Sequence, residues 1–242
     1  MPNEEQFTIV KKEFPFRRGG LYHITYKGTE LSLPSVTSII GDTLPKKMMI
    51  HWAAKQSAIA ALNDPSLSVE EAVASIYKKR DAAGGLGKII HSWAEDYFKG
   101  TKIKLDDLSD ELKPYGQSFL SFMDNHDLKP HMENGFPFSE ITVFNPEVGY
   151  AGTLDFASDD HIYDWKTGKG LYLDHHLQQV AYLNATHALL PDRTIIEMPK
   201  FKGAYLVHLR STGRYSSVEA EGTFDEFKAV INLYHILKKY EG

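Results

Sequence analysis

Cysteine is absent from the 242 residues. That single absence excludes disulfides, Cys-ligated zinc, iron–sulfur clusters and a thiol nucleophile. No apolar run approaches the roughly 18 residues of a membrane span, so no membrane partner is expected. The opening Met1 to Phe7 is acidic and lacks the basic-then-apolar layout of a signal peptide, and the arginine-rich pattern of a transit peptide. A large basic excess is missing too, since 27 Lys and Arg stand against 32 Asp and Glu. This is no histone-like coat for nucleic acid. What is present, 42% apolar and 12% aromatic residues, describes one globular domain with at most a helical annex.

The charge is uneven: residues 1–100 hold 13 basic and 11 acidic side chains, residues 101–242 hold 14 and 21. An acidic half is either a solvated surface or a gathering of carboxylates around divalent cations.

Periodicity orders the chain. Phe7, Ile9, Leu21, Ile24 and Tyr26 flank Gly19-Gly20 as a short hairpin or edge strands. Pro34-Ser35-Val36-Thr37 starts a helix, and a second begins at Pro45 and stops at Asn63-Asp64-Pro65. Ser68 to Glu71 has capping-box spacing and opens a third, which ends at Lys78-Lys79-Arg80. Gly84, Gly85 and Gly87 then punctuate the chain before a helix from Ile89 to near Gly100, and another fits Leu112 to His126. From Glu140 the period drops to two: 140–144, 150–156 and 161–166 read as strands, the last two joined by Ser158-Asp159-Asp160. A helix over 173–190, strands over 203–209 and 215–218, and a helix from Phe224 complete the order, helices first and then β-β-β-α-β-α.

Side chains two apart on a strand share a face, so Asp164-Trp165-Lys166 sets a carboxylate and an ammonium on one side and the indole on the other. An antiparallel partner through the turn at 158–160 brings Asp155 beside Asp164. Two carboxylates can hold a hard divalent cation while the lysine neutralises charge on a phosphate; the alternative is a surface ion-pair ladder. Gln178 and Tyr182 share one helix face, as do His91 and Glu95.

Taken in order, Gly87-x-x-x-His91-x-x-x-Glu95, Glu140, Gly152-Thr153-Leu154-Asp155, Asp164-Trp165-Lys166-Thr167-Gly168-Lys169 and Gln178-x-x-x-Tyr182 resemble the PD-(D/E)XK nucleases of the RecB type. Leu33 to Ile40, Trp52 and the step from Glu140 to Asp155 are similar to the group holding the mitochondrial genome-maintenance and related phage exonucleases. The resemblance implies an α/β (α+β) restriction-endonuclease-like core at 84–242, a central mixed sheet flanked by helices, after an N-terminal region of strands and helices at 1–83 that engages DNA. It implies Asp155 and Asp164 as metal-binding acids, the Trp165 carbonyl and His91 as further ligands, and Lys166 as the catalytic lysine. Gln178 and Tyr182 match the accessory catalytic motif, and Glu95 and Glu140 match in position as supporting or structural residues.

The implied activity is a Mg2+- or Mn2+-dependent exonuclease on DNA, single-stranded with a free end, in replication, recombination or repair. A separate helicase, recombinase or single-strand-binding protein would be its partner, and bacterial or phage-infected cytoplasm its location. No ATP site is expected, because a P-loop over Gly84 to Lys88 needs Gly at Ala82 and Ser or Thr at Ile89. His175-His176 has no matching partners for zinc and reads as loop or cap histidines. Lys46, Lys47, Lys55, Tyr77, Lys78, Lys79 and Arg80 form either a basic wall for a single strand or a solvated helix face. Two further readings stay open: a structure-specific or duplex endonuclease with the same site, and a non-catalytic DNA-end-binding subunit.

Overall fold

The computed structural model describes residues 10–13, 20–45 and 47–240, without the side chains of 10–13, 47, 48 and 79–83. Phe7, Ile9, Gly19 and Lys46 lie outside the described residues. Strands β1 (Val10–Glu13), β2 (Gly20–Tyr26) and β3 (Thr29–Pro34) pair antiparallel. Lys27 and Gly28, at φ 49° and 75°, make the two-residue turn between β2 and β3, as a right-handed twist requires.

Helix α1 (Val36–Thr43) starts where the Ser35 side chain accepts the Ser38 N–H at 3.0 Å. Helix α2 (Lys47–Asn63) begins two residues after Pro45. Helix α3 opens with a capping box: the Glu71 N–H donates to Ser68 Oγ at 3.1 Å and the Ser68 N–H to Glu71 Oε2 at 2.8 Å. Here the expectation of two helices is corrected, since α3 runs unbroken from Val69 to Phe98 and carries residues 83 and 84 in its middle. Each helical glycine costs about 1 kcal/mol against alanine. That cost is outweighed by burying Ile90, Trp93 and Ala94 in the following turns.

After a 3-10 turn (Leu105–Asp107) come α4 (Lys113–His126), the small strands β4 (Met132–Glu133) and β5 (Phe136–Pro137), then β6 (Ser139–Asn145), β7 (Tyr150–Ala157) and β8 (His161–Lys166). The chain continues through α5 (Leu173–Leu183), β9 (His187–Leu189), β10 (Ile195–Glu197), β11 (Gly203–Leu209), β12 (Tyr215–Glu219) and α6 (Phe224–Tyr240). The helix expected over 173–190 is therefore corrected. Asn184 ends it, its Nδ2 donating to the Val180 carbonyl at 2.8 Å, and His187 to Leu189 pair with Thr142 to Phe144 instead.

The main sheet has seven strands in the order β10-β9-β6-β7-β8-β11-β12, antiparallel except for β8 beside β11. The protein is thus mixed α/β, with a central mixed sheet flanked by helices. On one face α1, α5 and α6 bury Val36, Ile39, Val180, Phe227 and Ile231 against Leu154 and Ile162. On the other, α3 and α4 close over an aromatic cluster in which Trp165 meets Phe119 at 5.1 Å and Phe122 at 5.7 Å. Each such buried side chain contributes about 1.5–3 kcal/mol. Tyr22, Ile24 and Leu33 of the N-terminal sheet pack on Phe144 and Ala151. Among the described residues no helix is long and apolar enough to cross a membrane.

Candidate active site

A fork in the sheet makes the site. Strands β7 and β8 pair only at Phe156↔Tyr163 and Ala157↔Ile162, then part. Where they part, Asp155 Oδ2 accepts the backbone N–H of Trp165 at 2.9 Å, so a side chain satisfies a donor that the ladder leaves open. Leu154 and Phe156 are two apart yet lie in different cores, so the strand alternation reverses across Asp155. On the neighbouring strand, between Ile141↔Leu154 and Ser139↔Phe156, Glu140 sits at φ 53°. A non-glycine residue held there is a kink of the type found beside functional sites.

Helix α3 delivers His91 into the fork. Its Nε2 donates to the Trp165 carbonyl at 2.8 Å, while Nδ1 lies 3.3 Å from Asp155 Oδ2 and 3.8 Å from Glu140 Oε1. His91, Glu140 and Asp155 together offer three donor atoms within 4.8 Å of one another, a group able to hold a metal ion. Glu140, expected only to support, is an equal member of this trio. Glu95 points its Oε1 at Lys99, 2.5 Å away on the same helix.

Asp164 and Lys166 lie beside the trio, paired at 2.6 Å. Asp164 is 1% exposed, and neither of its oxygens has a partner in hydrogen-bonding geometry. Lys166 Nζ also donates to Gln178 Oε1 at 3.0 Å, and Gln178 Nε2 donates to the Tyr182 hydroxyl at 3.1 Å. Two glycines make room for this relay. A Cβ at Gly152 would lie 2.3 Å from Tyr182 Cε1, and one at Gly87 would lie 3.2 Å from Thr167 Oγ1, on the residue after Lys166. Trp165 turns its ring into the aromatic core and leaves only its carbonyl to the site.

The charges explain one another. Burial pushes Asp164 up to about 6, only partly offset by the Lys166 ammonium. Burial also raises Glu140. Asp155 is held below its ordinary range: burial opposes its charge, but His91 and Lys166 outweigh burial. For His91 burial again works against the charged form, yet Asp155, Glu140 and Asp164 lift it well above the ordinary imidazole value. Lys166 is raised in the same way, desolvation losing to Asp164 and Asp155. Three carboxylates against one ammonium leave the site short of positive charge, which a proton on His91 or a bound cation supplies.

The remaining expected positions sit elsewhere. Lys78 and Tyr77 are exposed on α3, with Lys55 on α2; the side chains of Lys47, Lys79 and Arg80 are outside the described ones. His175 Nδ1 accepts the Tyr172 N–H at 3.2 Å at the start of its own helix, and His176 Nδ1 accepts the Glu221 N–H at 3.0 Å from the segment before α6, so both serve backbone groups. Two residues not singled out from the sequence also border the site. Tyr22 reaches Thr153 Oγ1 at 2.9 Å, and His208 Nε2 donates to the Gly168 carbonyl at 2.7 Å. Neither stands in a pattern, because each comes from a strand distant in sequence. No protein-family model matches the chain, and a search of curated proteins returns no match.

Proposed function

We propose that this protein is a metal-dependent nuclease of the PD-(D/E)XK type, hydrolysing phosphodiester bonds of DNA and acting as an exonuclease on single strands with a free end. The observation that carries the reading is the convergence of Asp155, Asp164, Lys166 and His91 from β7, β8 and α3 at one fork, with the Asp164 carboxylate buried and its oxygens unbonded apart from the lysine.

The donor set fits a hard cation such as Mg2+ or Mn2+: carboxylate oxygens of Asp155 and Glu140 and one imidazole nitrogen of His91 lie together, and the buried Asp164 carboxylate and the Trp165 carbonyl beside them would complete it. Bound there, the ion supplies Lewis-acid stabilisation of negative charge on the phosphate. Lys166 remains protonated between Asp164 and Gln178 and so offers a fixed positive charge to the phosphate oxygens as charge builds on them. Asp155 anchors the Trp165 backbone and orients the carbonyl beside it. Tyr182 and Gln178 hold the ammonium in place.

Helix α3 joins this centre to the basic segment. Tyr77 lies fourteen residues before His91 on one continuous helix and near the same face, about 20 Å along its axis, with Lys78 next to it. A single strand held against Lys78 and Tyr77 by phosphate contact and stacking would reach the fork within a few nucleotides. A time course on end-labelled linear and circular single-stranded DNA, with magnesium, manganese or chelator, tests the reading. An exonuclease degrades the linear strand and spares the circle; cleavage of the circle replaces it with an endonuclease.

A further inference from the structure

The edge of β7 that β8 abandons is not left open. Ala151 pairs with Phe144 of β6 on one side, and on the other Ser35 forms an isolated parallel bridge to it. The end of the N-terminal sheet thus enters the fork. Two residues further along β7, the Tyr22 hydroxyl bonds Thr153 Oγ1 at 2.9 Å, and Tyr22 is only 5% exposed.

Between these two contacts lies Gly152, on which the Tyr182 ring rests without space for a methyl group. The position of this segment therefore sets where the Tyr182 oxygen can be. That oxygen accepts from Gln178 Nε2, and the orientation of the amide follows from its other end. An ammonium can only donate, so Gln178 must turn Oε1 to Lys166 and its NH2 to Tyr182. Were the tyrosine oxygen to move, the amide would lose the contact that keeps its oxygen on the lysine.

We infer that Tyr22 is a positioning residue for the Lys166 ammonium, acting from the N-terminal sheet through Thr153, Tyr182 and Gln178. Its effect on turnover rests on the nuclease reading; its effect on the lysine does not. A phenylalanine at this position would fill the same apolar space between Ile24, Leu33 and Ala151, so the hydroxyl and not the ring is what the inference concerns.

The test uses Tyr22→Phe and Thr153→Val, singly and combined, each removing one hydroxyl from the full chain. Turnover is measured on an end-labelled single strand in magnesium, and the Lys166 ammonium is followed by 15N-lysine NMR, which needs no turnover. Each single variant is expected to lower kcat about three- to tenfold with KM within about twofold, the effect of one neutral hydrogen bond. The Lys166 resonance shifts in both, and the double variant is no worse than Tyr22→Phe, because the contact Thr153→Val removes is already lost with the Tyr22 hydroxyl, which also acts on Tyr182. A Lys166 resonance unmoved in Tyr22→Phe overturns the inference, as does a double variant with multiplied losses. If the wild-type protein cleaves nothing, the nuclease reading fails, and the lysine resonance alone decides the role of Tyr22.

Discussion

Asp155 takes the N–H of Trp165 onto its carboxylate at 2.9 Å, and in doing so stands where a ladder bond between β7 and β8 would have been. A carboxylate that closes a gap in the backbone is held rigidly by the fold. Its other neighbour, His91, is tied in turn to the carbonyl of the same Trp165. One residue of β8 thus fixes an acid and an imidazole through its two backbone groups while its indole anchors the core.

Asp164→Asn should not lower the melting temperature of the metal-free protein at pH 7.5. The carboxylate it removes is buried and close to other acids, and burial outweighs its 2.6 Å pairing with Lys166, whose charge Asp155 still balances in the variant. Functional groups of this type persist at the expense of stability. The same variant should lose the rise in melting temperature that manganese or magnesium gives the wild type, read by thermal unfolding with metal and with chelator. A marked loss of metal-free stability would show that Asp164 serves the fold.

The pH dependence follows in sign. Asp164 is raised from 3.8 to about 6, so between those values the folded chain binds a proton that the unfolded chain releases. Its contribution to metal-free stability therefore falls as pH rises through that window and levels off above it. His91, also raised, adds stability below 6.5 that is lost as pH climbs through its higher folded value. A divalent cation competes with both protons, so the metal-induced gain in melting temperature should grow from pH 5 to pH 8 (about the range in which a raised acid and imidazole titrate). Equal gains at both ends would contradict the assignment of these groups.

Glycines in the site and in the helix should respond oppositely to alanine. Gly152→Ala forces the Tyr182 ring away, since the new methyl would meet Cε1 at 2.3 Å. It should cost about 1–3 kcal/mol by overpacking and abolish most turnover. Gly84→Ala and Gly85→Ala meet nothing within 4 Å on α3 and should stabilise by up to about 1 kcal/mol each. Chemical denaturation of the three variants checks both signs.

How far these features could be read beforehand depended on whether neighbours in sequence set them. The Ser35 and Ser68 helix starts, the turn at 158–160 and the burial of Trp165 opposite Asp164 and Lys166 rest on local chemistry and strand alternation, and were legible. The continuity of α3 through Gly84 to Gly87 was not, because core contacts by Ile90 and Trp93 overrule local propensity. Nor was β9, a three-residue strand that exists only through pairing with β6. Within the site, the nearness of Asp155 to Asp164 followed from the hairpin. The full part of Glu140 arises from a positive φ that no pattern announces, and Tyr22 enters only because β8 leaves the edge of β7.

The central claim, that the fork between β7 and β8 holds a cation and a lysine that together cleave DNA, is met most directly by restoring metal to chelated protein on an end-labelled single strand. Wild type should regain cleavage on adding magnesium or manganese, while folded Asp164→Ala and Lys166→Ala should each fall by at least about 10²-fold. Cleavage by Asp164→Ala at the wild-type rate, or by wild type in chelator, would contradict it.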